Sequence, residues 1–158
     1  TIIDTDGEPL RHAVRAEPDV ISPNVIEAEE LVGHEFNDDE DPVIAVGEMI
    51  EQGAREAIMT LADGCVACVR VDGQLQRFRV LIAPREAVAG VGAGDAFLAG
   101  YVASRYAGRS TADCLAYGVA CGAESTQHLG VGLVDPREVD RLLSEVDVQT
   151  LSASPVGD

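Results

Sequence analysis

The stretch AVAGVGAGDAFLAGYV, residues 87–102, contains three glycines at alternate positions, Gly90, Gly92 and Gly94, and continues directly into an apolar segment. Glycine loses more backbone freedom on folding than any other residue, so glycines are kept where a tight turn or a close approach needs them. The apolar segment that follows has the length of a helix. The pattern therefore predicts a tight turn that leads into a helix beginning near Asp95.

The same glycines predict a binding site for an anion. The first N–H groups of a helix have no partner inside it, and the helix dipole adds positive charge there. Small residues at Gly92, Ala93 and Gly94 would let an anion approach these donors, either as a phosphate cradle or as an anion hole. The Asp95 carboxylate would compete with a bound anion, so we expect it to accept or orient a proton. The structural alternative is a tight turn with Asp95 as first-turn charge.

Two common glycine motifs do not fit this stretch. A dinucleotide-binding fingerprint needs a third glycine where Phe97 stands. A Walker loop needs a lysine, and the chain contains none.

The wider pattern of elements predicts an α/β protein. Apolar strand-like runs alternate with helix-like segments, and Asp72–Gly73 is typical of a hairpin turn. We expect a mostly parallel sheet flanked by helices, with one β-hairpin. Residues 1–150 would form a partial domain, and residues 151–158 a disordered tail. The predicted strands are 1–4, 19–22, 55–61, 65–71 and 75–81, and the predicted helices are 8–16, 23–33, 43–53, 94–108, 111–129 and 136–146.

Cap residues sharpen several of these helix boundaries. Asn24 and Gly33 suit the start and end of the second helix, and Asp41 suits the cap of the third. The pairs Ser110 with Asp113 and Asp135 with Glu138 predict capping boxes at the last two helices.

Composition bounds the class of protein. The chain has 158 residues with 46% hydrophobic content, which suits one domain with a core. Its 28 acidic and 11 basic residues give a net charge of -17, and every base is arginine. Such a surface repels nucleic acid and anionic membranes, so neither is an expected partner. The acidity indicates either adaptation to a very salty cytoplasm, a halophilic protein, or ordinary solubility charge.

The cysteines and histidines offer a competing hypothesis. Cys65 and Cys68 have the spacing of a zinc or redox motif, but they lie in a strand-like run with no second pair at ligand spacing. We expect all four cysteines to be buried free thiols in a reducing, cytoplasmic compartment, and a metal or redox protein is the alternative. His12, His34 and His128 share no evident site and are expected at the surface.

The segment GVGAGDAFLAGYV resembles the C-terminal signature of the ribokinase-like (PfkB) sugar kinases. Three further segments follow the family's order: SPNVIEAEELVG with Asn24 and Glu27, IMTLADG, and GVGLVDPREVDRLLSEVDVQ. The last is similar to the close of the 1-phosphofructokinase and tagatose-6-phosphate kinase branch. The resemblance covers nearly all of this chain but only the C-terminal half of a family member.

The resemblance implies an ATP-dependent kinase that phosphorylates a sugar hydroxyl, with a phosphorylated sugar as substrate. Asp95 would be the catalytic base, and Gly92, Ala93 and Gly94 would form the anion hole. Asn24 and Glu27 would hold Mg²⁺ and phosphate through water. Thr60 and Gly64 would line the nucleotide, with residues 120–128 near adenine.

Some positions depart from the family pattern. Ala89 and Gly90 stand where the family has an acidic or hydroxyl residue followed by threonine, and Ser22 replaces a lysine. Asn24 with Glu27 is also a capping box in its own right. The alternative function is a non-catalytic nucleotide-binding or assembly module left by truncation. Oligomeric state stays open between a monomer and a homodimer.

Overall fold

The computed structural model describes residues 1–151, so the predicted tail lies outside the described residues except for Leu151, which ends a strand. Strands and helices alternate along the chain, which confirms the predicted α/β class. The elements are β1 (Ile2–Ile3), α1 (Gly7–Val14), β2 (Val20–Ile21), α2 (Val25–Val32), α3 (Asp41–Glu51), β3 (Ala57–Leu61), β4 (Gly64–Val71), β5 (Gln74–Ile82), α4 (Ala93–Tyr106), α5 (Thr111–Ser125), α6 (Pro136–Leu142) and β6 (Val146–Leu151).

The described strands form one mixed sheet in the order β1-β2-β3-β4-β5-β6. Strands β1, β2 and β3 are parallel, with Ile2 opposite Val20 and Ile21 opposite Ala57. Asp72 and Gly73 have φ angles of 49° and 82°. Two successive positive φ angles are what a tight type I′ hairpin requires, so the predicted hairpin is confirmed.

The described residues divide into two compact units. The first contains residues 1–61, 66–79 and 149–151. Its core is aliphatic and sulfur-containing rather than aromatic, as the 4% aromatic content requires. The largest fully buried side chains of this core are Leu10, Val14, Ile21, Val46, Met49, Met59 and Val66.

The second unit contains residues 62–65 and 80–148, and its helices α4 and α5 pack closely. A Cβ added to Gly100 would lie 2.6 Å from the Cys121 Sγ atom, and one added to Gly118 would lie 3.0 Å from the Phe97 ring. Glycines at these positions let the helix backbones approach each other. The Phe97 and Tyr101 rings stack within the resulting core, with centroids 6.4 Å apart.

The C-terminal elements differ from the predictions. Helix α5 ends at Ser125 rather than 129, and α6 ends at Leu142 rather than 146. The final segment forms strand β6, in which Val146, Val148 and Leu151 are half-buried and the residues between them are exposed. Ala62 and Asp63 form a second tight turn, which joins β3 to β4.

The cap predictions met mixed outcomes. Asn24 and Gly33 flank α2 as predicted. At α3 the cap position is Glu40 instead of Asp41, because Asp41 already has helical geometry and its carboxylate accepts the Asn37 N–H. At α6, Asp135 accepts from the Arg137 N–H, and Glu138 pairs with Arg141 instead of closing a box.

All four cysteines are buried free thiols, as predicted. Burial raises the pKa of the Cys65 and Cys68 thiols and raises that of Cys121 to about 11. A raised pKa disfavours the thiolate that metal binding and redox exchange require. Residues 1–151 contain no group of three or more histidine, cysteine or acidic side chains placed to hold a metal ion. No helix in the same range is long and apolar enough to span a membrane.

Candidate functional site: an open helix N-terminus

The predicted anion site lies at the start of α4, in the second unit. Gly92 is the N-cap residue and adopts the left-handed region with φ 86°. The helix therefore starts at Ala93, one residue before the predicted range 94–108, so Gly94 and Asp95 lie inside its first turn. No side chain caps this helix.

Hydrogen bonding leaves donors open at this end of α4. The Ala93 N–H donates to the Gly90 carbonyl at 3.3 Å, and the Ala96 N–H donates to the Gly92 carbonyl at 2.9 Å. The N–H groups of Gly94 and Asp95, which lie between these two donors, have no hydrogen-bond partner among residues 1–151. Two unpartnered donors with the positive end of the helix dipole form the arrangement that binds phosphate and other anions.

The glycines at this turn serve different purposes. A Cβ on Gly92 would lie 2.6 Å from the Val131 Cγ1 atom, and the positive φ angle also favours glycine there. A Cβ on Gly94 would meet nothing within 4 Å. The chain itself therefore does not require glycine at position 94, and the open space lies directly beside the free donors.

Asp95 is exposed next to these donors, and its carboxylate forms no hydrogen bond within the described residues. It lies at one end of an open groove of about 540 Å³ along the outer face of α4. The groove is otherwise lined by apolar side chains, including Leu98, Val102 and Tyr106. An exposed carboxylate without a partner is free to accept a proton from a neighbouring hydroxyl.

Asn24 and Glu27 lie in the first unit, at the start of α2. The Glu27 N–H donates to Asn24 Oδ1 at 3.0 Å, and the Asn24 N–H donates to Glu27 Oε2 at 2.8 Å. This reciprocal pair is the capping box that the sequence also indicated. Each side chain has one oxygen committed to the helix start, which leaves Glu27 Oε1 for a further contact.

Thr60 lies beside this box, because its N–H donates to the Pro23 carbonyl at 3.0 Å and Asn24 and Thr60 form a parallel bridge. Gly64 belongs to the second unit, at the start of β4. A Cβ on Gly64 would lie 1.9 Å from the Val80 carbonyl oxygen, and its φ angle is 154°. Strand packing therefore accounts for this glycine without a nucleotide.

One cluster near the site was missed by sequence reasoning. Glu124 is buried on α5, where it contacts His128, a residue predicted to be an unengaged surface histidine. The signal was an acid directly after the apolar run CLAYGVACGA, four residues before a histidine. The other two histidines lie at the surface, where His34 bonds Glu48 at 2.9 Å and His12 lies 3.8 Å from Glu8.

Comparison with known proteins shows the family of this chain. The model of the pfkB family carbohydrate kinases matches residues 1–137, which include α2, α4 and the open N-terminus. The chain belongs to the PfkB family of carbohydrate kinases.

Relatives of this PfkB chain include two bacterial 1-phosphofructokinases. It is 29% identical to that of Borreliella burgdorferi over 153 residues, covering 97% of this chain and 48% of the relative. It is 26% identical to that of Haemophilus influenzae, covering 93% of this chain and 46% of the relative. The chain thus spans about half the length of the curated relatives that it matches.

Solved structures show the fold of this PfkB chain. Phosphofructokinase-2 from Escherichia coli, in complex with substrates and products, aligns with a TM-score of 0.80 and 23% identity over 90% of this chain and 46% of that chain. Ribokinase from Arabidopsis thaliana, complexed with ribose and ATP, aligns with a TM-score of 0.71 and 24% identity over 90% of this chain and 44% of that chain. The fold is ribokinase-like, as the sequence resemblance implied.

Proposed function

We propose that this chain is the phosphate-cradle and catalytic-base half of an ATP-dependent sugar-phosphate kinase of the 1-phosphofructokinase type. The observation that carries the proposal is the open N-terminus of α4, where two unpartnered N–H groups lie beside an exposed, unpartnered carboxylate. Family membership and the two 1-phosphofructokinase relatives support the reaction class.

The cradle would stabilise the phosphoryl group during transfer. The Gly94 and Asp95 N–H groups would donate to oxygens of the nucleotide's end phosphates, in MgADP as well as in the phosphoryl group under transfer, and the space beside Gly94 would admit these oxygens. Phosphoryl transfer needs little covalent help from the protein, so positioning and charge stabilisation provide most of the catalysis. Gly92 and Ala93 would contribute by setting the backbone direction of this turn.

Asp95 would act as general base. As the sugar hydroxyl oxygen forms its bond to phosphorus, the bond between phosphorus and the oxygen of the departing ADP breaks. The hydroxyl proton moves to the Asp95 carboxylate. Because Asp95 spends no hydrogen bond on its own helix, both of its oxygens are available for that proton.

Mg²⁺ is the cofactor that this chemistry implies. Bound Mg²⁺ would neutralise charge on the nucleotide phosphates. Mg²⁺ favours oxygen ligands and keeps several waters, so the amide and carboxylate of Asn24 and Glu27 fit an indirect, water-mediated role. Thr60 and Gly64 would line the nucleotide, and residues 120–128 would lie near adenine.

Nucleotide binding provides the first test of this proposal. We expect the folded chain to bind MgADP in molar KCl by calorimetry, because the proposed cradle lies within residues 92–95. No heat at millimolar nucleotide, from protein that is folded by circular dichroism, would contradict it.

Turnover separates the kinase from the non-catalytic alternative. The chain would be assayed together with the half of the Borreliella burgdorferi relative that its match does not span, with MgATP and a phosphorylated ketohexose. ADP formation that depends on the sugar phosphate would support the kinase. Nucleotide binding without turnover in a folded complex of the two halves would favour a binding or assembly module.

A further inference from the structure

Glu124 is a charged residue in the interior of the second unit. It lies near the end of α5 and is 2% exposed, in a helix whose other buried positions are apolar or small. A buried carboxylate is costly unless it is paired and hydrogen-bonded. Glu124 meets this requirement with both oxygens, since Oε1 contacts His128 Nε2 and Oε2 accepts the Asp135 N–H at 3.0 Å.

The two partners of Glu124 delimit a loop, residues 128–135. Val131 in this loop packs against the N-cap residue of α4: a Cβ on Gly92 would lie 2.6 Å from Val131 Cγ1 and 3.5 Å from the Gly132 nitrogen. The loop therefore lies directly on the turn that opens α4. Holding the loop at both ends restrains the residue that packs on that turn.

The same end of α5 also holds the segment that enters the turn. The Thr126 carbonyl accepts the N–H groups of Val88 at 2.8 Å and Ala89 at 3.0 Å. The Gln127 side-chain amide donates to the Glu86 carbonyl at 3.2 Å. Residues 124–127 thus hold two segments near Gly92. The segment 86–89, which leads into the turn, is held by backbone and side-chain amide hydrogen bonds, and the loop 128–135 is held by the Glu124 carboxylate.

We propose that Glu124 is a positioning residue for the anion cradle. By holding the loop 128–135 against Gly92, it fixes the backbone from which the Gly94 and Asp95 N–H groups point. This inference rests on the proposed function for the meaning of the cradle, but the restraint itself is a property of the chain. This restraint differs from a general contribution of Glu124 to folding. If Glu124 only stabilised the unit as a whole, its substitution would make residues 88–95 no more mobile than the rest of the unit.

Hydrogen exchange tests the restraint without any ligand. In Glu124→Ala, we expect amides of residues 88–95 that are protected in the parent to exchange about 10- to 100-fold faster, because hydrogen bonds to a buried charge are lost. The matched control is Ser125→Ala. Ser125 is buried in the same helical turn, but its hydroxyl donates to the Gly122 carbonyl of its own helix. The control should leave exchange at 88–95 unchanged.

A milder variant covers the case in which Glu124→Ala does not fold. Glu124→Gln keeps the shape and an acceptor for the Asp135 N–H but removes the charge that faces His128. It should raise exchange at 88–95 by a smaller factor in the same residues. Faster exchange confined to 124–135, with 88–95 unaffected in the folded variants, would overturn the inference.

MgADP affinity then links the restraint to the proposed function. We expect Glu124→Gln to weaken MgADP binding while Glu138→Gln, which removes a carboxylate charge on α6 outside residues 120–128, retains the parent affinity. Parent affinity in Glu124→Gln, together with faster exchange at 88–95, would overturn the positioning role. If the parent itself binds no MgADP, the proposed function fails, and the exchange measurement still decides whether Glu124 restrains the turn.

Discussion

The helices α2 and α4 begin in opposite ways. Each carries an acid three residues after its N-cap residue: Glu27 follows Asn24, and Asp95 follows Gly92. At α2 the two side chains bond reciprocally with the backbone at 2.8 and 3.0 Å, so the helix start is satisfied from within. At α4 the cap residue has no side chain, and neither the carboxylate nor the N–H group of Asp95 forms a hydrogen bond within the described residues.

The difference shows that the same residue pattern at a helix start can have two different roles. An acid at the third position of a helix stabilises the helix when it bonds back to the cap residue. The same acid beside a glycine cap leaves both its carboxylate and the neighbouring N–H groups free. Helix α5 is intermediate, because the Asp113 carboxylate accepts the Ser110 hydroxyl at 2.7 Å. The chemical site in this account is therefore the helix start whose groups remain unsatisfied.

The largest expected effect comes from Asp95→Asn. In the complex of this chain with the other half of the Borreliella burgdorferi relative, turnover should fall by about 10²- to 10⁴-fold, since an amide cannot accept the proton. The affinity for MgADP should stay near the parent value. Steady-state kinetics and calorimetry would measure the two. Asp113→Asn is the matched control, at the same helix position but bonded to Ser110, and it should keep turnover within a few-fold. Equal losses in both variants would remove the distinction between the two helix starts.

Gly94→Ala tests whether the open space beside Gly94 is needed by a bound phosphate, since the fold itself does not need it. The added Cβ meets nothing in the chain. Alanine is also the better helix former, so the free energy of unfolding should rise by about 0.5–1 kcal/mol. MgADP binding should nevertheless weaken, because the methyl group occupies the space beside the donors.

The control for this variant is Gly90→Ala, which also meets nothing within 4 Å but lies before the helix. It should leave MgADP affinity unchanged. Unchanged affinity in Gly94→Ala, measured by calorimetry beside this control, would place the phosphate elsewhere.

Asn24→Ala tests the closed helix start. Loss of the side-chain cap should lower the free energy of unfolding by about 1 kcal/mol. Denaturant unfolding in molar KCl would measure it. A stability loss near zero in Asn24→Ala would mean that the box contributes little to α2.

Salt should act on the whole chain rather than on the cap. With a net charge of -17, like charges repel across the surface. The Debye length falls from about 10 Å at 0.1 M to about 3 Å at 1 M salt, so KCl should raise the melting temperature. The stability difference between Asn24→Ala and the parent should change little along the series. A flat or falling melting temperature, followed by circular dichroism, would contradict adaptation to salt.

Local chemistry explains which features could be predicted from the sequence. Asn24 and Gly33 mark the ends of α2, Asp72–Gly73 marks a hairpin, and the alternate glycines mark the turn before α4. Each of these depends on neighbouring residues and on backbone preferences that a few letters specify. Residues 143–151 were less tractable, because the chain passes from helix to strand without a glycine or proline to mark the change.

The unpredicted features depend on contacts between distant residues. The nucleotide contact of Gly64 stays a prediction, whereas the close approach of its backbone to Val80 depends on strand packing that one sequence does not display. Glu124 bonds Asp135, eleven residues later, and its burial depends on how α5 packs. The open state of the α4 start was predictable from Gly92, whereas the loop that packs on it was not.

The most direct test of the open helix start follows the backbone amides of this chain by NMR during a titration with MgADP. We expect the Gly94 and Asp95 amide resonances to shift most and to saturate with the calorimetric affinity, while those of Val25 and Ile26 at the start of α2 move little. Binding that leaves the Gly94 and Asp95 amides unmoved would contradict the account.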